Sequence, residues 1–286
     1  MTGRLKVRTL IRRRKDGDPW LAFCRGAVSD VHEVLARLPT RNEREPVTGT
    51  GAGGDETTVV DAEVEAAIVA RLERLHEKDD LDFHLVSEEL GERSFGDSPA
   101  LRVVVDPIDG SLNAKRNIPF FSISIAIAEG SAMGDVFFGF VHDFGSGEEW
   151  TATRGGGAWL NGERLGAIRP KDSIEVLALE ATVAGAVADK AVAFAGFAKR
   201  LRIMGSLALS LCNLAAGRVD AVCSLKEARA VDIAAAQLLL RELGLPIRFA
   251  DAGPFDASPL DTAARSPVVA AGTREQCERL AHIVAT

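Results

Sequence analysis

Apolar residues recur at helical spacing through WLAFCRGAVSDVHEVLARL, residues 20–38, and the run stops at Pro39, so a first helix is predicted there. A polar, Gly-rich loop at 40–56 separates it from a second amphipathic pattern at 60–75. There Val60, Val64, Ile68, Leu72 and Leu75 fall on one face. DFHLVSEE predicts a strand running into acids, and 101–105 predicts the next strand. From 121 to 127 the side chains alternate strictly, which predicts a strand with two distinct faces. DVFFGFVHDF and EEWTATRGGGAWLNGERL continue as antiparallel strands joined by Gly-rich and Asn-Gly turns.

Beyond about residue 170 the pattern changes. Strand IEVLALE, helix AVAFAGFAKRL, helix SLALSLCNLAAG and strand DAVCSL are expected in turn. Helix DIAAAQLLLREL, two short strands and a last helix at 274–284 follow. Strands alternating with helices indicate a parallel or mixed layer. The expected organisation is a basic extension at 1–17, an α+β lobe at 18–168 and an α/β lobe at 169–286, joined near 165–172.

The chain has 286 residues, 47% of them hydrophobic, with 41 acidic and 34 basic side chains and a net charge of −7. That balance argues against a nucleic-acid partner. The first 15 residues are basic but lack the apolar core of a signal peptide, so a cytoplasmic protein is expected. Apolar stretches reach only about a dozen residues, too short for a membrane span. The four cysteines form no CxxC pair and are expected to be reduced core thiols, and the five histidines lack zinc-site spacing. Any metal ligands would therefore be oxygens. GTGAGG (Gly49, Gly51, Gly54) matches a dinucleotide fingerprint by letter, but no strand pattern precedes it and no helix opens on its third glycine.

Acids gather at the ends of elements in GDETTVVD (Asp55, Asp61), VSEEL (Glu88, Glu89), DPIDGS (Asp106, Asp109) and RAVDIAAAQ (Asp232). Asp61 and Asp232 could serve only as helix-start residues. DPIDGS asks for more. It ends the apolar run Val103-Val104-Val105, Pro107 removes a ladder donor, and the strand is expected to stop with Asp106 and Asp109 projecting from its end. Two carboxylates so close repel each other unless a cation lies between them.

These motifs, with FFSISIAIAEG, GGGAWLNGERL and GSLALSLCNLAAGRVDAV in the same order, resemble the inositol monophosphatase family from about residue 20 to the end. GDETTVVD, SEELG, IPFF and RAVDIA are most similar to the archaeal-type members acting on both inositol 1-phosphate and fructose 1,6-bisphosphate. The resemblance implies a layered αβαβα sugar-phosphatase fold, a mixed α/β class with an antiparallel-sheet lobe and an α/β lobe. It implies a homodimer, a small sugar-phosphate substrate, and two or three Mg²⁺ ions, for which Mn²⁺ could substitute. Asp106, the Ile108 carbonyl, Asp109, Glu88 and Asp232 would be the ligands. Glu88 and Ser111 would hold the attacking water, and Asp61 would orient the Ser111 hydroxyl. Asp109, Gly110 and Ser111 would meet the substrate phosphate.

The chain departs from the family at several positions. Ser111 replaces a common Thr, Leu112 a frequent hydroxyl residue and Val231 a frequent Trp, and Leu225 stands where animal enzymes carry an inositol-contacting Glu. Lys226 and Arg229 precede Asp232 and are the candidates for a second phosphate, with Lys115 and Arg116 near the turn as further cations. The alternatives are a 3′-phosphoadenosine 5′-phosphate phosphatase of the same family and a non-catalytic homologue.

Overall fold

In the computed structural model, which describes residues 19–52, 54–97, 99–180, 183–251 and 253–286, the first helical pattern folds as α1 (Pro19–Arg37). The basic extension expected at 1–17 lies outside the described residues. A single turn, α2 (Arg41–Arg44), leads into the hairpin β1 (Val47–Thr50) and β2 (Glu56–Thr58), and the second pattern follows as α3 (Val59–Asp79). Gly49 thus lies in strand β1 of an antiparallel hairpin, and Gly51 and Gly54 lie between its two strands, not in a strand-to-helix crossover.

Eight strands come next: β3 (Phe83–Ser87), β4 (Gly91–Phe95), β5 (Leu101–Asp109), β6 (Ser122–Ala128), β7 (Val136–Asp143), β8 (Glu149–Thr153), β9 (Gly157–Leu160) and β10 (Glu163–Arg164). They form one sheet in the order β10-β9-β8-β7-β6-β5-β3-β4, antiparallel except for the β3–β5 pair. Between β5 and β6 lies the short helix α4 (Ser111–Arg116).

The remainder is β11 (Ile174–Glu180), α5 (Ala184–Ala195), β12 (Ala198–Arg202), α6 (Leu207–Ala215), β13 (Ala221–Ser224), α7 (Ala230–Glu242), β14 (Ile247–Phe249), β15 (Val268–Ala271) and α8 (Arg274–Ala285). Its five strands form a mixed sheet, β12-β11-β13-β15-β14, parallel over the first three.

Three apolar clusters set the layering. Phe23, Val31, Ile68 and Leu72 of α1 and α3 pack on Phe83, Val103, Ile123 and Ile125 of the eight-stranded sheet. Leu209, Leu211, Ile233 and Leu239 of α6 and α7 fill the space between Val104, Ala126 and Val141 of that sheet and Ala178, Val222 and Ala270 of the other. Phe194 and Leu280 of α5 and α8 cover Leu177, Cys223 and Val269 on the far face. Each Val, Leu, Ile or Phe among them contributes about 1.5–3 kcal/mol by leaving water. The result is the expected five-layer αβαβα arrangement. The cysteines are all free and buried, and among the described residues no helix is long and apolar enough to cross a membrane.

Three local expectations change. The helix expected through AVAFAGFAKRL ends at Ala195, and Ala198–Arg202 is instead an edge strand paired with β11. Gly196 interrupts the helical run, and residues 198–202 are held as a largely exposed edge strand by their pairing with β11. Strand β5 does not stop at Asp106 but runs through Pro107 to Asp109, with its register to β6 shifting between the two aspartates. Its pairing with β3 ends at Val105, so the missing Pro107 N–H falls where the ladder is already irregular. Finally, β6 has the two faces its alternation predicts, but both are buried. Ile123, Ile125 and Ile127 face α1 and α3, whereas Ala126 and Ala128 face the middle helices.

Candidate active site

The described acids of the four motifs converge where β3 and β5 end and α3 and α7 begin. Asp106 is 1% exposed, and one of its oxygens accepts the Ile108 N–H at 3.1 Å. Burial first, and then Glu88, Asp109 and Asp232, push its carboxyl well above the ordinary value. Asp109 ends β5 and reaches across to α6. It accepts the Ser206 hydroxyl and the Ala208 N–H, the latter at 2.7 Å. Burial outweighs those bonds and, with Asp232 adding to it, lifts Asp109 to about 7. Glu88 is likewise raised to about 7 by burial, with Arg229 opposing and Asp232 and Glu89 adding to the rise.

Asp61 sits in the first turn of α3, where one oxygen accepts the Thr58 N–H at 3.1 Å and the Thr58 hydroxyl at 2.5 Å. Its other oxygen is buried with no partner. The helix-start role and a free ligand atom therefore coexist in one side chain. Asp232 occupies the equivalent place in α7 and accepts the Arg229 N–H at 2.7 Å.

Gly110 joins β5 to α4 with φ +96°, a region where a side chain is strained. A Cβ there would also meet the Gly205 and Phe120 carbonyls at 3.0 and 3.2 Å. The Ser111 hydroxyl donates to the Ile108 carbonyl at 3.0 Å. Asp61, Glu88, Ile108 and Ser111 line one recess, within which Ser111 is bonded to Ile108.

The cleft over these residues has a volume of about 370 Å³. Its described lining holds ten carboxylates against three cations, Lys115, Lys226 and Arg229; Arg116 is not part of it. Lys226 lies 3.8 Å from Asp55. Arg229 is 3% exposed, donates from Nη2 to Glu88 and stands 3.6 Å from Asp55 and 3.7 Å from Asp232.

The fold, the DPIDGS turn and the acid-lined cleft agree with what the chain is similar to. The model of the inositol monophosphatase family matches residues 16–286. The chain belongs to that family. It is 35% identical over 271 residues to a fructose-1,6-bisphosphatase/inositol-1-monophosphatase from Methanothermobacter thermautotrophicus, covering 91% of this chain and 95% of the relative. A protein of the same description from Methanocaldococcus jannaschii is 30% identical, covering 91% and 97%. A solved inositol monophosphatase–fructose 1,6-bisphosphatase superposes with a TM-score of 0.78 at 27% identity, covering 92% of this chain and 99% of that one. The chain is thus a phosphate monoester hydrolase.

Among the cleft acids of this family member, Glu180 escaped the sequence reading and Glu89 was given no role. Glu180, at the end of β11, accepts the Ser210 hydroxyl at 2.6 Å and the Gly205 N–H at 2.8 Å, and burial lifts it to about 7. Its signal was available: it is an acid following an apolar run, as Asp106 is. Glu89 was noticed only as a neighbour of Glu88. It accepts the Thr57 hydroxyl, and its backbone carbonyl accepts the Ala52 N–H at 2.8 Å, joining the β1–β2 hairpin to the site.

Proposed function

We propose that the chain hydrolyses inositol 1-phosphate and fructose 1,6-bisphosphate with Mg²⁺ held by Glu88, Asp106, the Ile108 carbonyl, Asp109 and Asp232. The observation that carries this reading is the charge of the cleft, with ten carboxylates facing three cations in a site built to receive an anion. A phosphate cannot enter such a field unless added cations reverse it. The donors are all oxygens, as Mg²⁺ prefers, and the partnerless buried oxygen of Asp61 marks a position still able to accept. A divalent ion held by Glu88, Asp106, the Ile108 carbonyl, Asp109 and Asp232 would supply Lewis-acid charge compensation and lower the pKa of a bound water.

The residues themselves do the positioning. Glu88, Ser111 and Asp61 all line the main cleft, so a water held there would have acceptors from two elements and a hydroxyl from a third. The turn at Gly110 and Ser111 presents its backbone to the cleft, where the reacting phosphate would rest against Asp109. Lys226 and Arg229 approach from the other lobe and are the cations available to a second phosphate. Leu225 packs beside the outer apolar cluster, so no acid replaces the inositol-contacting Glu of animal enzymes there. That favours a broad sugar-phosphate specificity.

Phosphate release from inositol 1-phosphate, fructose 1,6-bisphosphate, 3′-phosphoadenosine 5′-phosphate and NADP, each with Mg²⁺ or with EDTA, tests the reading. Turnover of the first two in Mg²⁺ alone is expected. Faster release from the nucleotides, or undiminished turnover in EDTA, would overturn it.

A further inference from the structure

Arg229 occupies an odd position for a substrate-binding cation. Its Nη2 donates to Glu88 and lies 3.7 Å from Asp232 Oδ1, and its Nη1 lies 3.6 Å from Asp55 Oδ2. Glu88 and Asp232 both belong to the acid set assigned above to the metal. Asp55 belongs to the loop between β1 and β2, so one guanidinium ties together β3, α7 and that loop.

Its hydrogen bonding is incomplete. The side chain is 3% exposed, yet Nε and Nη1 are buried without a hydrogen-bond partner. An arginine built as a permanent brace normally spends its donors on carbonyls and carboxylates, as Arg44 does on the carbonyls of Leu38 and Ala114. Arg229 is instead held by surrounding charge. Consistent with its place among the acids, no three acidic, histidine or cysteine side chains among the described residues close into a metal cage.

From these observations we infer that Arg229 is the resident counter-cation of the metal-free site and that a divalent ion binds Glu88 and Asp232 by displacing it. The inference rests on the reading that these acids hold the metal. The guanidinium lies on Glu88 Oε1 and beside Asp232 Oδ1, so an ion taking those atoms would stand close to a second cation, and the two would repel. A divalent ion brings twice the charge in a smaller volume, so it wins once present in excess. Displacement breaks the contact of Arg229 with Asp55 and leaves the guanidinium at the start of α7, still beside the cleft. It would then be free for an anionic group of the substrate, and metal loading would precede engagement of a second phosphate.

Two measurements decide this. In the wild-type protein, phenylglyoxal labelling of Arg229, located by peptide mass spectrometry, should be low in chelator and rise several-fold in saturating Mg²⁺. Calorimetry of Mg²⁺ binding should give an affinity at least fivefold tighter in Arg229→Ala, which lacks the competitor, with Arg229→Lys between the two. The melting temperature of Arg229→Ala should fall in chelator and recover in Mg²⁺. Labelling indifferent to Mg²⁺, or an affinity in Arg229→Ala equal to or weaker than wild type, overturns the inference. Should Arg229→Ala not fold, the labelling and the lysine variant decide. Mg²⁺ binding to neither protein would remove the metal reading and the inference together, whereas equal binding by both removes the inference alone.

Discussion

At Gly139 in β7 the backbone of α7 lies hard against the eight-stranded sheet. A Cβ built there would lie 2.6 Å from the Ala235 carbonyl oxygen and 3.2 Å from its carbonyl carbon, all backbone of α7. Its φ is not positive, so Gly139→Ala tests contact distance alone. Ordinary contact begins near 3.4 Å, so α7 would have to retreat by about 0.8 Å. Overpacking of this kind costs about 1–3 kcal/mol. The more restricted unfolded chain returns about 0.4–1 kcal/mol. A net loss of about 1–2 kcal/mol corresponds to a fall in melting temperature of about 2–8 °C for a chain of this size. The functional effect follows from position, because Asp232 lies three residues before Ala235 on the same helix. Mg²⁺ affinity should weaken about tenfold, equivalent to about 1.4 kcal/mol. Thermal melting in chelator and calorimetry with Mg²⁺ measure both, with Gly166→Ala, which meets nothing within 4 Å, as the silent control. A Gly139→Ala protein with wild-type melting and wild-type Mg²⁺ affinity would refute the argument that this close approach sets the position of α7.

Asp106→Asn keeps an oxygen for the Ile108 N–H but removes a buried charge. It should lower activity more than about a hundredfold, beyond the usual effect of losing a ligand's outer partner. The same variant should melt at a higher temperature than wild type in chelator; a lower one would mean that the acids do not repel in the metal-free fold. Glu88 and Asp109 titrate near 7 in that fold against ordinary values of 4.5 and 3.8. The folded chain therefore binds more protons than the unfolded chain between those limits, and stability in chelator should fall as pH rises from about 4 to about 7. Mg²⁺ should flatten that slope, and a chelator profile that rises across the interval, at constant ionic strength, would contradict it.

The elements legible in the sequence are those whose partner layers impose a clear period. The helices of 20–38 and 60–75 each present one apolar face to the sheet, and the strand at 121–127 alternates because its two faces meet different helix layers. Misreadings came where tertiary pairing decides. AKRLR carries no apolar run of its own and is a strand because β11 lies beside it. Pro107 argued for the end of β5, yet the strand continues because its register with β6 shifts at that point. Glu180 passed unnoticed although it too follows an apolar run, because no second acid and no Pro or Gly comes directly after it to draw attention to it.

The acids and their counter-cation differ in legibility for a physical reason. A carboxylate at the end of an apolar run is anomalous locally, since burying it there is unfavourable without a partner, and the anomaly shows in a window of ten residues. Arg229 is anomalous only in three dimensions. At the start of α7 its long side chain could as well extend into the cleft toward substrate, which is how its spacing from Asp232 reads in isolation. What turns it inward is Glu88, 141 residues earlier in the chain, together with Asp55 on the hairpin loop. Burial alone opposes the charge of Arg229, yet Asp232, Glu88 and Asp106 outweigh that and hold it more firmly charged than a free arginine. The field that would draw a divalent ion thus also holds Arg229, and the fold carries these buried acids with one of its own cations offsetting part of their charge.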